Sequence, residues 1–416
     1  MKKLSAVFAL IVILITGCDK ENPTNPSVTL NEKALKIIFS NNYCEAEGWA
    51  IVYTEDGLTV LDTAKFFGNT IVDFGEIAQE RITLTIVTTQ ISNQFKSYLI
   101  QTYYSVKKGE WKISDRVASV EGKLDINMSF PIHSYDNVLL SYGGGYESFT
   151  LNADTASSFH FPLLNVYNTN SVNSLSLYST IYNLSEGIGF YNWSPKLNFT
   201  LNDTNAYNIE LTNPLTLSQI QFNKEVSGIN IKAFLDSFSE GVTLFHNYNS
   251  QPLTAQKVFL PDDINASSYM INVSNHSGNR SYSYEKLMNS IPGNLTIPNT
   301  IVSATHNSSN NSIENITVNG NIDYFTAVWF DSNINNNFYW IAYAPNNYTS
   351  VVRPELPPSI ASQLSNFNPA QMDIYDLIIE DNNKFSSFDD LINYYYKSTV
   401  PIPDNFTERY TYGIIF

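Results

Sequence analysis

The chain has 416 residues, of which 43% are hydrophobic, 14% aromatic and only 15% charged, with a formal net charge of −16. So many aromatic residues exclude disorder as the main state, and the shortage of charged helix formers excludes a coiled coil. Past the N-terminus no apolar run approaches the roughly 20 residues of a spanning helix. The 39 acids against 23 bases repel a phosphate backbone, so no nucleic-acid partner is expected.

Residues 1–18 read MKKLSAVFALIVILITGC. Lys2 and Lys3 form a basic start, and Leu4 to Ile15 form an apolar stretch of signal-peptide length. Ile15-Thr16-Gly17-Cys18 follows, with a small residue before the cut and a thiol after it. This resembles the lipobox of bacterial lipoproteins, with Ile15 where that family most often has Leu. The resemblance implies removal of 1–17, a thioether lipid on Cys18 and acylation of the new amino group. More than one acyl chain holds a protein stably on a membrane. Asp19 to Pro26, with prolines at 23 and 26, reads as a semi-extended tether over 18–29. Lys20-Glu21 resembles the short charged signal of Bacteroidota surface lipoproteins, whereas Asp19 would mean inner-membrane retention in enterobacteria. The Asn- and Tyr-rich, Lys-poor composition favours the outer membrane or cell surface. With Cys18 lipidated, Cys44 has no partner for a disulfide, and a half-buried apolar role is expected for it.

From residue 30 onward short runs alternate apolar and polar residues between Asn, Gly, Ser and Asp, which is strand patterning. Leu35–Phe39, Trp49–Tyr53, Ile71–Phe74, Ile82–Val87 and Tyr98–Ser105 read as strands of a sandwich of about seven strands over 30–117, with Trp49 and Trp111 in or beside its core. A faint repeat follows. Val120-Glu121-Gly122 recurs as Val226-Ser227-Gly228 and as Val318-Asn319-Gly320, and predicts units over 118–225, 226–316 and 317–416. The glycine would permit a bulge or a close approach by another strand. Near the C-terminus Ser359–Leu364 and a capped segment from Ser387 to about Tyr396 predict short helices. The fold class expected is all-β, a tandem of sandwich domains of immunoglobulin-like or carboxypeptidase-regulatory-like kind. The alternating Tyr410–Phe416 reads as a last strand docked in its own sheet rather than as the closing strand of a membrane barrel.

Catalytic signatures are sparse. The five His lie far apart from one another and from Cys, so no zinc spacing arises. Gly143-Gly144-Gly145 reads as a hairpin turn, because neither Lys nor a helix follows. Asp331-Ser332-Asn333-Ile334-Asn335 starts like a calcium loop but lacks its Gly and its closing Glu. Asp262-Asp263, Glu380-Asp381 and Asp389-Asp390 are acid pairs of the kind that solvate surfaces. No catalytic residue, metal ligand or cofactor is assigned. Exposed aromatics could stack on sugar or peptide, and Trp329, Tyr339, Trp340, Tyr394, Tyr395 and Tyr396 are the candidates. The function expected is a lipid-anchored surface protein with a non-enzymatic binding, adhesive or structural role, its partners the membrane and a carbohydrate or protein ligand. The alternatives are a glycan-binding lipoprotein of an uptake system, or a hydrolase whose acids converge only in space.

Overall fold

A computed structural model describes residues 34–416 except 41–43, 45, 93–94, 114–119, 143–144, 152–154, 168–173, 236–240, 308–310, 333–335 and 398–406. The lipobox, the tether, Gly143-Gly144 and Asn333–Asn335 therefore lie outside the described residues. The fold is all-β, with many sheets and only short helices, and the longest helical stretch lies near the C-terminus. No described helix is long and apolar enough to cross a membrane.

The first seven strands are β1 (Ala34–Phe39), β2 (Gly48–Tyr53), β3 (Val60–Phe66), β4 (Ile71–Glu76), β5 (Arg81–Ser92), β6 (Phe95–Lys107) and β7 (Gly109–Ile113). They form two layers, β4-β1-β7 and β3-β2-β5-β6. Alternation explains the layers. Leu35, Ile37 and Phe39 of β1 meet Ala50, Val52, Leu84 and Ile86 in one core, which holds Trp111 at its centre. Trp49 is buried on the other face of β2. Cys44 is buried, with its Sγ 3.4 Å from the Thr89 N–H that it accepts. Phe39 stacks on Phe66 at 3.7 Å between ring centres.

The next set is β8 (Val120–His133), β9 (Asn137–Tyr142), β10 (Gly145–Thr150), β11 (Ala156–Tyr167), β12 (Ser174–Asn183), β13 (Ile188–Asn198), β14 (Thr204–Glu210) and β15 (Asn213–Pro214). Here β11-β8-β14 faces β10-β9-β12-β13-β15, and Leu124, Ile126, Phe161, Val138 and Leu177 fill the space between them.

The remaining strands are β16 (Thr216–Phe234), β17 (Val242–Leu260), β18 (Ser268–Ser277), β19 (Arg280–Met288), β20 (Asn294–Leu295), β21 (Ile301–Asn307), β22 (Ser312–Asn319), β23 (Tyr324–Ser332), β24 (Asn336–Pro345), β25 (Val351–Val352), β26 (Asp373–Asn382) and β27 (Glu408–Ile415). One sheet runs β17-β16-β18-β19-β27-β26-β23-β24-β6-β5-β2-β3 and so joins the end of the chain to its beginning. The junction is a parallel pairing, with Phe338 opposite Tyr98 and Trp340 opposite Ile100. β27 sits between β19 and β26, so the terminal alternating segment is docked in its own sheet. Helix α1 (Pro358–Ala361) and helix α2 (Phe388–Ile392), which continues as a π turn over Asn393–Lys397, are the two short helices expected. Ser387 caps α2 by accepting the Asp390 N–H at 3.2 Å.

The expected boundary after 117 lies outside the described residues, the one after 225 lies within β16, and the one after 316 lies within β22. The Val-x-Gly glycines mark places where another group comes close, inside β8 and β16 and just past the end of β22. A Cβ at Gly228 would lie 2.5 Å from Ser274 Oγ, and one at Gly122 would lie 2.6 Å from Phe199. One strand of the first sandwich, β3, carries no clear alternation in the sequence.

Candidate functional site

One face of the long sheet is covered along its length. Ile229, Ile231, Ile271, Val273, Tyr282, Tyr284, Tyr410, Tyr412, Leu377, Phe325, Trp329 and Trp340 belong to one continuous core. The opposite face is covered at its two ends. The β4-β1-β7 layer and α2 lie over β6 and β24, where Tyr396 packs on Trp111 at 5.4 Å. β9 and β10 lie over β17, where the Tyr146 ring is 5.1 Å from His246 and Thr243 N–H donates to Ser141 Oγ at 2.9 Å. Between these covers, among the described elements, β18 and β19 make their main contacts only with sheet neighbours.

The floor of this open stretch is built by register. Ser274 pairs with Ser283, Ser283 with Thr411, and Ser281 with Gly413. Alternation sends these short side chains away from the core that Tyr282, Tyr284, Tyr410 and Tyr412 enter. One end of the floor carries a polar ladder across five adjacent strands. Asn272 Nδ2 donates to Glu285 Oε1 at 2.6 Å. Glu285 faces Arg409 Nη1 at 3.7 Å, and Arg409 Nη2 faces Glu380 Oε2 at 3.3 Å. Tyr324, the register partner of Glu380 across β23 and β26, closes the row. Burial works against the Arg409 charge, but Glu380 and Glu285 outweigh it and hold the guanidinium protonated. Arg409 Nε is buried without a partner.

The other end holds Asp376, 3% exposed, with Oδ1 buried and unpartnered. Burial pushes its carboxyl up to about 7. The lack of a side chain on β27 makes room for it: a Cβ on Gly413 would stand 3.2 Å from Asp376 Oδ1 and 3.0 Å from Ser281 Oγ. Tyrosines edge the stretch. Burial first, then Asp376 and Tyr339, pushes the Tyr375 phenol up, and burial pushes up that of Tyr339. Phe330 packs on Tyr339 at 4.8 Å. Tyr395 lies beside Glu380 and Arg409.

The six aromatic candidates divide. Trp329 and Trp340 are core residues and cannot serve as platforms. Trp329 Nε1 donates to the Asn311 carbonyl at 3.1 Å, and Trp340 Nε1 donates to Thr102 Oγ1 at 2.9 Å. Tyr396 is also buried, with its hydroxyl 2.7 Å from that of Tyr103. The two tryptophans fall in the inward phase of β23 and β24, a phase fixed by the sheet's second layer and not by the strands' own pattern. Tyr339, Tyr394 and Tyr395 are half-buried and reach the surface. Tyr394 and Tyr395 meet edge to face at 4.8 Å, with Lys384 Nζ 3.9 Å from the Tyr394 ring centre.

The acid pairs stay apart chemically. Asp389 takes a bidentate bond from Arg81 at 2.6 and 3.1 Å, Asp262 accepts from Thr216 at 2.7 Å, and Asp263 accepts from Tyr191. Among the described residues no three of His, Cys, Asp and Glu are grouped to hold a metal ion. The ladder and Asp376 were not singled out from the sequence. Each is assembled from strands distant along the chain, and the one sequence signal of a polar sheet face is the set of polar residues at alternate positions, Asn272 and Ser274, then Ser281, Ser283 and Glu285.

No family model matches the chain, and no curated protein matches it. Among solved structures, the Bacillus anthracis TIE protein is 8% identical over 81% of this chain and 72% of that one, with a TM-score of 0.15. Likeness at that level carries no argument about fold or function.

Proposed function

We propose that this chain is a lipid-anchored envelope protein with a non-enzymatic binding role, and that its ligand is held on the open face of β18, β19, β27 and β26. The observation that carries the reading is a polar floor over which no described element makes its main contacts, with Asp376 Oδ1 and Arg409 Nε buried without partners at its two ends. Buried polar atoms without partners are costly, and fold stability alone gives no reason to keep them. On this reading the layers over 34–113 and 120–214 are immunoglobulin-like sandwiches that flank the face.

Two experiments test it. Cys18→Ala is expected to abolish fatty-acid labelling and to release the protein from membranes, since that thioether is the one attachment proposed; unchanged labelling refutes the anchor. For the face, a photo-reactive benzoylphenylalanine replaces Ser283 or Thr411 in the protein displayed on its own envelope. Adducts are expected at both positions and not at Ser303, which lies off this face. If 283 and 411 stay as clean as 303, the face binds nothing.

A glycan-binding reading is favoured by one further observation: Tyr339, Tyr375 and Tyr395 reach the margin of the same face.

A further inference from the structure

We infer that the occupant of the open face is an uncharged, polyhydroxylated chain, a neutral glycan laid across β18, β19 and β27. The inference rests on the reading that this face is a binding surface, and it commits to the ligand's chemistry.

Charge excludes the polyanions first. The one cation of the ladder, Arg409, is shared between Glu285 and Glu380, so it has no spare positive charge for a phosphate or sulfate. The chain as a whole carries −16, which repels such ligands at long range. Strand geometry then argues against a peptide. A peptide that adds to a sheet needs a free edge, and β18, β19, β27 and β26 each have sheet neighbours on both sides. A peptide held by side chains needs apolar anchors in pockets. The middle of the floor here is polar, with Asn272, Ser274, Ser283 and Thr411 all half-buried, and the apolar residues of the same face, Met270 and Leu287 at one end and Ile378 and Ile415 at the other, lie outside it.

What remains fits sugar. A sugar hydroxyl both donates and accepts, and so do the hydroxyls and amide of this floor. The side chains of Ser274, Ser283 and Thr411 are short, and Gly413 has none. Asn272 is already oriented by Glu285 at 2.6 Å, so its amide is fixed in direction before a ligand arrives. Pre-ordering of this kind lowers the entropy lost on binding. The rings of Tyr395 at one end and of Tyr339 and Tyr375 at the other offer faces for the C–H side of a pyranose. Asp376 lies beneath the second end, where its buried carboxyl can meet a hydroxyl only if the ligand's own contacts open the edge of the floor.

The test reads the composition of the adduct formed at position 283. After trypsin, the mass added to the peptide that bears the photo-reactive residue is expected to fall in hexose or N-acetylhexosamine steps. The purified full chain is expected to be retarded in gels cast with at least one neutral polymer among dextran, mannan, xylan and laminarin, and not in hyaluronan. Ser283→Trp, which crowds the floor, is expected to remove the retardation. Tyr395→Ala is expected to weaken it about tenfold, the loss typical of an aromatic contact residue. An adduct made of amino acids overturns the glycan inference and leaves the binding reading intact. Adducts at neither 283 nor 411 overturn both. Retardation that survives Ser283→Trp in a protein that melts like the parent places the sugar elsewhere and overturns the inference alone.

Discussion

Asp376→Asn is expected to stabilise the protein above neutral pH and to flatten its stability between about pH 4 and pH 7. The folded carboxyl is pushed up to about 7 by burial, while an unfolded Asp titrates near 3.9. Below about pH 4 both states hold the proton and the group is neutral in its effect. As pH rises towards 7 the unfolded chain gives up its proton and the folded one keeps it, so stability falls. Above 7 the folded chain carries a buried charge. The full difference is about 4 kcal/mol, at 1.36 kcal/mol for each unit between the two values. Asn fills the same volume beside Gly413 without charge. Urea denaturation of parent and variant at pH 5.5 and 8.5 checks this. The parent is expected to lose stability between the two values, and the variant to lose much less. Asp323, also raised by burial to about 6, acts in the same direction and leaves a smaller residual slope. Equal slopes in parent and variant would mean that Asp376 is solvated.

Trp340→Ala is expected to cost about 3–5 kcal/mol of folding stability and not merely a ligand contact. The ring is fully buried between β6 and β23 and donates to Thr102, which in turn bonds Thr85 at 2.8 Å. The Arg353 guanidinium lies 5.4 Å from the ring centre, so truncation also removes the surface on which a buried cation rests. Tyr395→Ala, on a half-buried ring, is expected to cost a fraction of that. A thermal melt of the two variants separates them, and a Trp340→Ala protein that melts with the parent would show that the ring is outside the core.

The local elements were legible because alternation is a local signal. β1, β2, β4, β5 and β6 each read correctly within a few residues, as did the Ser387 cap. β3 was missed because Asp62, Thr63 and Lys65 break its alternation, as suits an edge strand that must resist pairing with other chains. The inward phase of Trp329 and Trp340 was not legible, since an aromatic strand looks the same whichever face is covered. The ladder of Asn272, Glu285, Arg409, Glu380 and Tyr324 needs the register of five strands, and register between distant segments leaves no mark in either segment alone. The glycine of the repeat was legible as a site of close approach, while its use as a boundary marker put two divisions inside strands.

The parallel pairing of β6 with β24 has a kinetic consequence. Lys96 meets Asn336, so the outer side of β6 waits for about 240 more residues before it finds its partner, and β27 at the very end must still slot between β19 and β26. Pairings between distant segments are slow to form, because a long loop must close before any contact rewards it. A chain translocated from its N-terminus would therefore pass through a membrane pore without its largest sheet, which can assemble only after the last strand has emerged. Until then the exposed edge of β6 is a hazard for aggregation. A shortened chain ending before residue 336 would keep that edge for life.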